Sequence, residues 1–381
     1  MSEPLRIHRI EITHHQLPLE PPFPASWDPQ PRTRFPATIV RVFDNAGHVG
    51  IGSGDAMYGF SDYLRYFIGE DPLELKRHNA ILSNIEFHAG RPWPMDVALW
   101  DLAGKIRNEP VWKMVGGVSN RIRTYASSGV HRPLEDMVKV ARDALSAGFP
   151  ALKVRFGRPR LEDDLAVLAA IRAEVGQALE LMVDCNQGWR MPWDTAQPWT
   201  LAHALEVAAE LEALGVYWME EPLHRGDYQG YTALKRQTSL RIAGGEMTRE
   251  PYEFRELLSR DCLDVFQPDC VCSMGIGGLK DFAVQVVEAG KIFTPHTWGN
   301  GIGVLANAHL TAGTVGTVGA HFLEYPLDGP EWSLERRDYP LLEPVRVDPE
   351  GYITLSDSPG LGIQLNEDLL ECTRSDGATF A

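Results

Sequence analysis

The sequence predicts an α/β chain in which a (β/α) barrel of the TIM type carries a smaller α+β unit. Three observations lead there. Short apolar runs alternate with helix-like stretches from about residue 123 to residue 324. Several of those runs close on an acidic residue, as in Leu181-Met-Val-Asp184, Tyr217-Trp-Met-Glu220 and Arg241-Ile-Ala-Gly-Gly-Glu246. The N-terminal part shows a different texture, a two-residue alternation without intervening helices. Runs that end in a carboxylate between helices are what successive parallel strands look like when their C-terminal ends build a site.

Taken in order, residues 5–17 (Leu5-Arg-Ile-His-Arg-Ile-Glu-Ile onward) and residues 37–52, with a turn at Asn45-Ala-Gly47, alternate as half-buried antiparallel strands do. The proline-rich segment between them, Leu17 to Pro36, reads as a loop too long for a hairpin connection, a length usual in functional loops. From Asp96 the stretch Asp-Val-Ala-Leu-Trp-Asp-Leu-Ala-Gly-Lys predicts an amphipathic helix that stops near Asn108-Glu-Pro110, and Gly116-Gly117 ends this part of the chain. Strands are then expected at 123–127, 151–155, 180–184, 216–220, 241–246, 263–267, 291–295 and 321–324, with helices such as Leu134–Ala147, Asp163–Val175, Thr200–Leu214 and Leu279–Ala289 between them. Eight strands joined by helices over about 200 residues are the arithmetic of a barrel, whose sites lie at the strand C-termini. The tail from Leu341 holds Val345-Arg-Val, Tyr352-Ile-Thr-Leu and Gly360-Leu-Gly-Ile and is expected to return to the first unit. The division is therefore 1–122, 123–340 and 341–381.

In a chain of 381 residues, 36 lysines and arginines against 52 aspartates and glutamates leave a net charge of −16. That balance argues against nucleic acid or an anionic membrane as partner, and leaves local cations to hold an acidic small molecule. Cys185, Cys262, Cys270, Cys272 and Cys372 are odd in number and form no spaced framework, which fits a reducing compartment. Cys270-Val-Cys272 lacks the second pair or nearby histidine of a zinc set, so these read as small buried hydrophobes. No apolar leader or membrane-spanning run is seen, and a cytoplasmic protein is expected.

Asp184, Glu220 and Glu246 meeting at one barrel mouth would repel unless a cation lay between them, and oxygen-only ligands favour a hard ion such as Mg²⁺. Lys153 and Arg155 are two apart on the second strand and share a face, as Asn186 does with Asp184. They interrupt Ala-Leu-Lys-Val-Arg-Phe where a core strand would be apolar, which favours a place in the mouth over a solvated surface. Asp269 follows the sixth strand and His296 the seventh; the carboxylate can fix the imidazole tautomer, making His296 a candidate general acid/base rather than a structural histidine. Glu324 ends the eighth strand and, kept protonated, would donate a short hydrogen bond to a substrate oxygen; a helix cap or surface carboxylate is the plainer reading. His203, His309 and His321 receive structural roles. Gly275-Ile-Gly277-Gly278 lacks a phosphate-binding context and reads as a turn into a helix.

Together, Ala98-Leu-Trp-Asp101, Gly116-Gly117, Val183-Asp184-Cys-Asn186, Met219-Glu220-Glu221-Pro222, Gly245-Glu246, Gln267-Pro-Asp269, Pro295-His296 and Leu323-Glu324-Tyr325 resemble the enolase superfamily, and within it the mandelate racemase subgroup. The resemblance implies a (β/α)7β barrel under an α+β capping domain formed from both termini, with Mg²⁺ on Asp184, Glu220 and Glu246, Glu221 beside it, and symmetric homo-oligomers. A muconate lactonizing enzyme would carry a lysine near Asp269, so the Asp269-His296 pair points to the mandelate racemase type. The family's usual Lys-x-Lys is here Lys153-Val-Arg155. A guanidinium keeps its proton, so Arg155 is a clamp for a carboxylate or enolate rather than a base. One base suffices for loss of water, whereas racemisation needs two. The expectation is Mg²⁺-dependent dehydration of an acid sugar by His296; the alternative is a racemase, epimerase or lactone cycloisomerase that also uses Lys153. A silent barrel kept for binding would have damaged ligands, and all are present. Capping-domain loops set specificity in this family, which makes His14, Trp27, Arg32, Arg34 and Tyr58 candidate substrate contacts.

Overall fold

The computed structural model describes residues 4–54, 57–314, 316 and 322–380. β1 (Ile7–Phe23) and β2 (Arg32–Asp44) form a long antiparallel ribbon, and β3 (Val49–Gly54) adds to β2. Ile7, Ile10, Ile12, Val40 and Val42 are buried beneath two helices, α1 (Leu75–Ile85) and α2 (Trp93–Arg107). Pro94 in the first turn of α2 moves its start ahead of the expected Asp96, and Asn108, at φ 54°, ends it in the left-handed conformation. A short α3 (Val111–Met114) follows.

The segment Leu17–Pro36 is not the loop its prolines suggested. Pro18 pairs with Arg34 and Pro36 with Gln16, so strand continues on both sides of a short connector. Both prolines lie where the ribbon has a neighbour on one side only, so their missing N–H groups cost no ladder bond.

The barrel strands are β4 (Arg121–Ser127), β5 (Ala151–Arg155), β6 (Glu180–Asp184), β7 (Trp218–Glu220), β8 (Arg241–Gly244), β9 (Val265–Phe266), β10 (Ile292–Phe293) and β11 (Leu323–Pro326). Between them run α4 (Leu134–Ser146), α5 (Leu161–Val175), α6 (Leu201–Ala213), α7 (Tyr228–Lys235), α8 (Pro251–Ser259), α9 (Gly275–Glu288) and α10 (Gly301–Ala312). The parallel order β10-β9-β8-β7-β6-β5-β4-β11 sets the last strand beside the first, the wrap-around of a (β/α)7β barrel. Thr297, just after β10, donates through its backbone N–H to Glu324 Oε2 (3.2 Å) and through its hydroxyl to the Glu324 carbonyl (2.8 Å), joining the two ends of the sheet. After α11 (Leu334–Arg337), β12 (Tyr352–Thr354) runs antiparallel to β4, and α12 (Glu367–Thr373) leads into β13 (Arg374–Phe380). β13 pairs with β1, so the chain's last strand completes the N-terminal sheet in the order β13-β1-β2-β3.

Tyr125, Ala151, Met182, Trp218, Ala243, Val265, Ile292 and Phe322 contribute one side chain from each strand position to a single buried apolar cluster, the floor of the barrel. Each large member stabilises the fold by about 1.5–3 kcal/mol through burial. Two aspartates of α2 tie the N-terminal unit to the rest. Asp96 accepts from the backbone N–H of Ile276 (2.7 Å) and Gly277 (3.3 Å), capping α9, and from Asn79 Nδ2 (3.0 Å). Asp101 accepts from Ile51 N (2.8 Å) in β3 and Leu361 N (2.7 Å) in the tail.

Candidate metal and catalytic site

Counting two residues up each strand from the apolar floor gives Ser127, Lys153, Asp184, Glu220, Gln267, Thr294 and Glu324, all buried. Alternation that sends apolar groups inward thus also sends a polar layer inward, one step nearer the C-terminal face. Lys153 Nζ lies 2.6 Å from Glu220 Oε1, 2.9 Å from Glu324 Oε1 and 3.6 Å from Asp184 Oδ2. Gln267 Nε2 donates to Glu220 Oε2 (2.7 Å), as Trp218 Nε1 does at 3.2 Å, and Ser127 Oγ donates to Glu324 Oε1 (2.6 Å).

Glu246 breaks this pattern. Strict alternation from Ala243 would turn it outward, but Gly245 at φ +114° reverses the chain's course and brings the carboxylate into the mouth. Asp184, Glu220 and Glu246 then each offer a carboxylate oxygen, all within 4.8 Å of one another. Glu246 Oε2 has no hydrogen-bond donor within the described residues. Three buried carboxylates with an unsatisfied oxygen among them fit a hard divalent cation held by oxygen alone. Glu220, rather than Glu221, belongs to this set: Glu221 turns away at φ 46°, buried beside Glu246 with neither oxygen hydrogen-bonded.

Arg155 binds Asp184 through its guanidinium, donates from Nε to the Ser128 carbonyl (2.9 Å), and has its guanidinium carbon 5.1 Å from the Trp27 ring centroid. Asn186, at φ 48°, donates its backbone N–H to Asp184 Oδ1 (2.8 Å). His296 Nδ1 lies 3.1 Å from Asp269 Oδ2, while Nε2 points to Glu246 Oε2 (3.5 Å) and Glu324 Oε2 (3.9 Å). The second oxygen of Asp269 accepts from Asn307 Nδ2 on α10 (2.8 Å) and from Val271 N (3.0 Å), and Asn307 Oδ1 accepts from Cys270 N (3.0 Å).

Burial is the leading influence on these groups, and charge decides where it is overruled. It pushes Glu220 up to about 8, helped by Asp184 and opposed by Lys153, and it raises Glu246 against the pull of His296. Burial alone would lower the His296 value, yet Glu246, Glu324 and Asp269 lift it to about 10. Glu324 departs from the expectation of a protonated donor. Burial would raise it, but Lys153, His296 and Arg155 outweigh that and bring it down to about 2, so it is an anion that accepts hydrogen bonds.

The mouth opens into a cavity of about 480 Å³ lined in part by Trp27, Arg32, Arg155, Asn186, Glu246, His296 and Trp298. Trp27 comes from the connector between β1 and β2 and stands edge-on to Trp298 (5.1 Å between ring centroids); Gly129 lets it approach, since a Cβ there would lie 3.0 Å from the indole. The other three capping-unit candidates lie elsewhere. His14 bonds Thr38 Oγ1 (3.0 Å) and borders a separate depression on the N-terminal sheet, Arg34 reaches Gln16 (3.3 Å) on the exposed ribbon, and Tyr58 is 67% exposed. Because the ribbon stays strand as far as Phe23, only the connector and its flanks bend over the mouth. His203 pairs with Glu206 (3.1 Å) on the surface, His309 is buried against the Leu361 carbonyl (3.3 Å), and His321 lies outside the described residues. All five cysteines are free thiols, and Cys272 borders the cavity.

Several contributors escaped the sequence reading. Gln267 could have been found by the same two-residue step that links it to Asp269, but Asn307, Trp189, Trp298, Arg225 and Arg249 sit on a helix or in βα loops, where no periodicity marks them.

Residues 136–369 match the family described as Enolase C-terminal domain-like. The chain belongs to the enolase/mandelate racemase superfamily. Its relatives include the arabinonate dehydratase of Saccharolobus solfataricus, 28% identical over 355 residues that cover 88% of this chain and 89% of the relative. The D-galactarolactone cycloisomerase of Agrobacterium fabrum is 28% identical over 326 residues, 81% and 82% of the two chains. Among solved structures, a racemase from Streptomyces coelicolor with bound magnesium superimposes with a TM-score of 0.82 at 25% identity, covering 97% of this chain and 99% of that one. Among the described residues of this superfamily member, no helix is long and apolar enough to cross a membrane.

Proposed function

We propose that the protein removes the α-proton of a hydroxy carboxylate with Mg²⁺ at Asp184, Glu220 and Glu246, and that the reaction is dehydration of an acid sugar to a 2-keto-3-deoxy acid. The observation that carries this reading is the asymmetry of the two candidate bases. His296 lines the cavity, whereas Lys153 is fully buried beneath it among Glu220, Glu324 and Asp184. One cavity-facing base suits elimination.

A dication bound there would polarise the substrate carboxylate and offset the charge that builds as the proton leaves. Glu246, foremost among the carboxylates that raise His296, is one of the groups a dication held by Asp184, Glu220 and Glu246 would neutralise, and Nε2 would then be available as base. Nε2 takes the C2 proton; Asp269 holds the resulting imidazolium through Nδ1–H. The same Nε2–H then protonates the C3 hydroxyl as its C–O bond breaks, water departs, and the enol tautomerises to the ketone. Arg155, anchored by Asp184 and Ser128, presents its remaining N–H groups to the substrate carboxylate. Glu324 fixes Lys153 and the turn at Thr297.

Relatives named as dehydratases and as a cycloisomerase keep a rival in view, isomerisation with Lys153 as second base. Incubation of acid sugars with Mg²⁺ in D₂O separates the two. Semicarbazide-reactive keto acid, lost in His296→Asn, is expected; deuterium at C2 without keto acid would overturn dehydration.

A further inference from the structure

In a chain of net charge −16, the cavity above the candidate metal site is lined by six arginines and, among its lining residues, a single carboxylate, Glu246. Four of these arginines are already engaged, Arg91 among them. Arg155 binds Asp184, Arg32 binds Asp28 while facing Trp27 and Trp298, and Arg190 donates to the Ala196 carbonyl. Arg225 and Arg249 differ: within the described residues neither guanidinium makes a hydrogen bond or an ion pair. Glu86 is close enough to feel the charge of Arg249, but its carboxylate is taken up by Trp93 Nε1 (2.9 Å).

Their place in the chain sets where they act. Arg225 follows β7 and Arg249 follows β8, each beyond the metal-site carboxylate of its own strand, Glu220 or Glu246, and both border the same cavity. Both are half-buried, so a ligand that fills the cavity removes water from them. A guanidinium desolvated against a neutral hydroxymethyl terminus loses hydration without a counter-charge, an arrangement that disfavours binding. Against an anion, the same fork makes charge-assisted hydrogen bonds.

We infer that the substrate carries a second anionic group at the end of the carbon chain remote from the reacting carboxylate, and that Arg225 and Arg249 bind it while Trp189 and Trp298 flank the chain between. This deepens the acid-sugar reading and rests on it for which end reacts. A terminal carboxylate and a terminal phosphate share the required chemistry.

The test begins with binding in the absence of metal, read from the intrinsic fluorescence of the lining tryptophans. An aldaric acid, the aldonic acid of the same configuration, and that aldonic acid phosphorylated at its terminal hydroxyl are titrated into the intact protein. The doubly anionic ligands are expected to bind at least about tenfold tighter than the aldonic acid, with the advantage shrinking as salt is raised. Which of the two binds better identifies the terminal group. Arg225→Gln and Arg249→Gln are each expected to cut that selectivity ratio on the order of tenfold, while Lys139→Gln, the same charge change on exposed α4, leaves it alone. Equal binding of all three acids by the unaltered protein would overturn the inference whether or not the variants fold, as would a ratio insensitive to both substitutions. Turnover is then assayed with Mg²⁺. Doubly anionic selectivity without keto acid from any ligand would sink the proposed reaction and keep the anion site; keto acid from the aldonic acid alone would do the reverse.

Discussion

Gly245→Ala isolates the single backbone feature that brings the third carboxylate into the site. At φ +114° an L-residue is outside its allowed regions, a strain of about 1–3 kcal/mol. Contact adds little to this, because a Cβ at position 245 would lie 3.4 Å from the Phe254 ring and 3.6 Å from Gln267 N, close but tolerable. Two responses are open to the chain. If it keeps its course, unfolding in urea should require about 1–3 kcal/mol less free energy, with Mg²⁺ affinity nearly intact. If it relaxes to negative φ, alternation is restored, Glu246 swings outward and the ion loses one of three carboxylates, a loss expected to exceed about tenfold in affinity. Denaturant titration paired with calorimetric Mg²⁺ titration reads both. A variant unchanged in stability to within about 0.5 kcal/mol and in Mg²⁺ affinity would refute the claim that this glycine aims Glu246.

Three further outcomes follow from the same geometry. Asn307→Leu removes one of the two donors to Asp269 Oδ1, leaving the Val271 N–H, and takes the acceptor from the Cys270 N–H; we expect kcat to fall about tenfold or more with a displaced pH profile, measured alongside folding to separate positioning from stability. Asp96→Ala uncaps α9 and should destabilise by about 2–4 kcal/mol in denaturant titration. Asp96→Asn should be much milder, since burial already pushes that carboxyl up to about 6 and the amide oxygen still accepts. His309 is held by burial at about 3, below the ordinary 6.5, so the unfolded chain binds more protons between those values; its contribution is intact above pH 6.5 and lost as pH falls towards 3, by at most about 5 kcal/mol. His309→Gln should therefore flatten the acid limb of a stability-versus-pH curve, and an unchanged limb would contradict the burial argument.

The parts of this architecture that were legible in the sequence are those with a period. Strands β5 and β6 match their expected bounds because Ala-Leu-Lys-Val-Arg and Glu-Leu-Met-Val-Asp carry both the apolar run and its polar close. β9 and β10 shrink to two residues each, since Pro268 and Pro295 follow so closely that the ladder stops. The continuation of the β1–β2 ribbon past Leu17 and ahead of Ala37 was hidden by prolines that break strands in sheet interiors but not at a free edge. At the site, Asp184 and Glu220 follow from counting along strands, whereas the inward turn of Glu246 depends on a dihedral that no pattern of side chains encodes. Glu324 was placed at its strand end, but its ionisation was not foreseen, because it depends on Lys153, which is remote in sequence and 2.9 Å away in space.

The ring of apolar side chains beneath the polar layer also has a kinetic meaning. With Trp218, Tyr125 and Phe322 buried at the floor, the cavity above the polar layer is open at the C-terminal face, through which reactant would enter and product leave. Traffic is then sequential: in the proposed reaction a departing keto acid would occupy the passage its successor needs. Product should inhibit by competing with substrate, and the clearance of that doorway, beneath Trp27 and Trp298, would set a ceiling on throughput once the chemical step is fast.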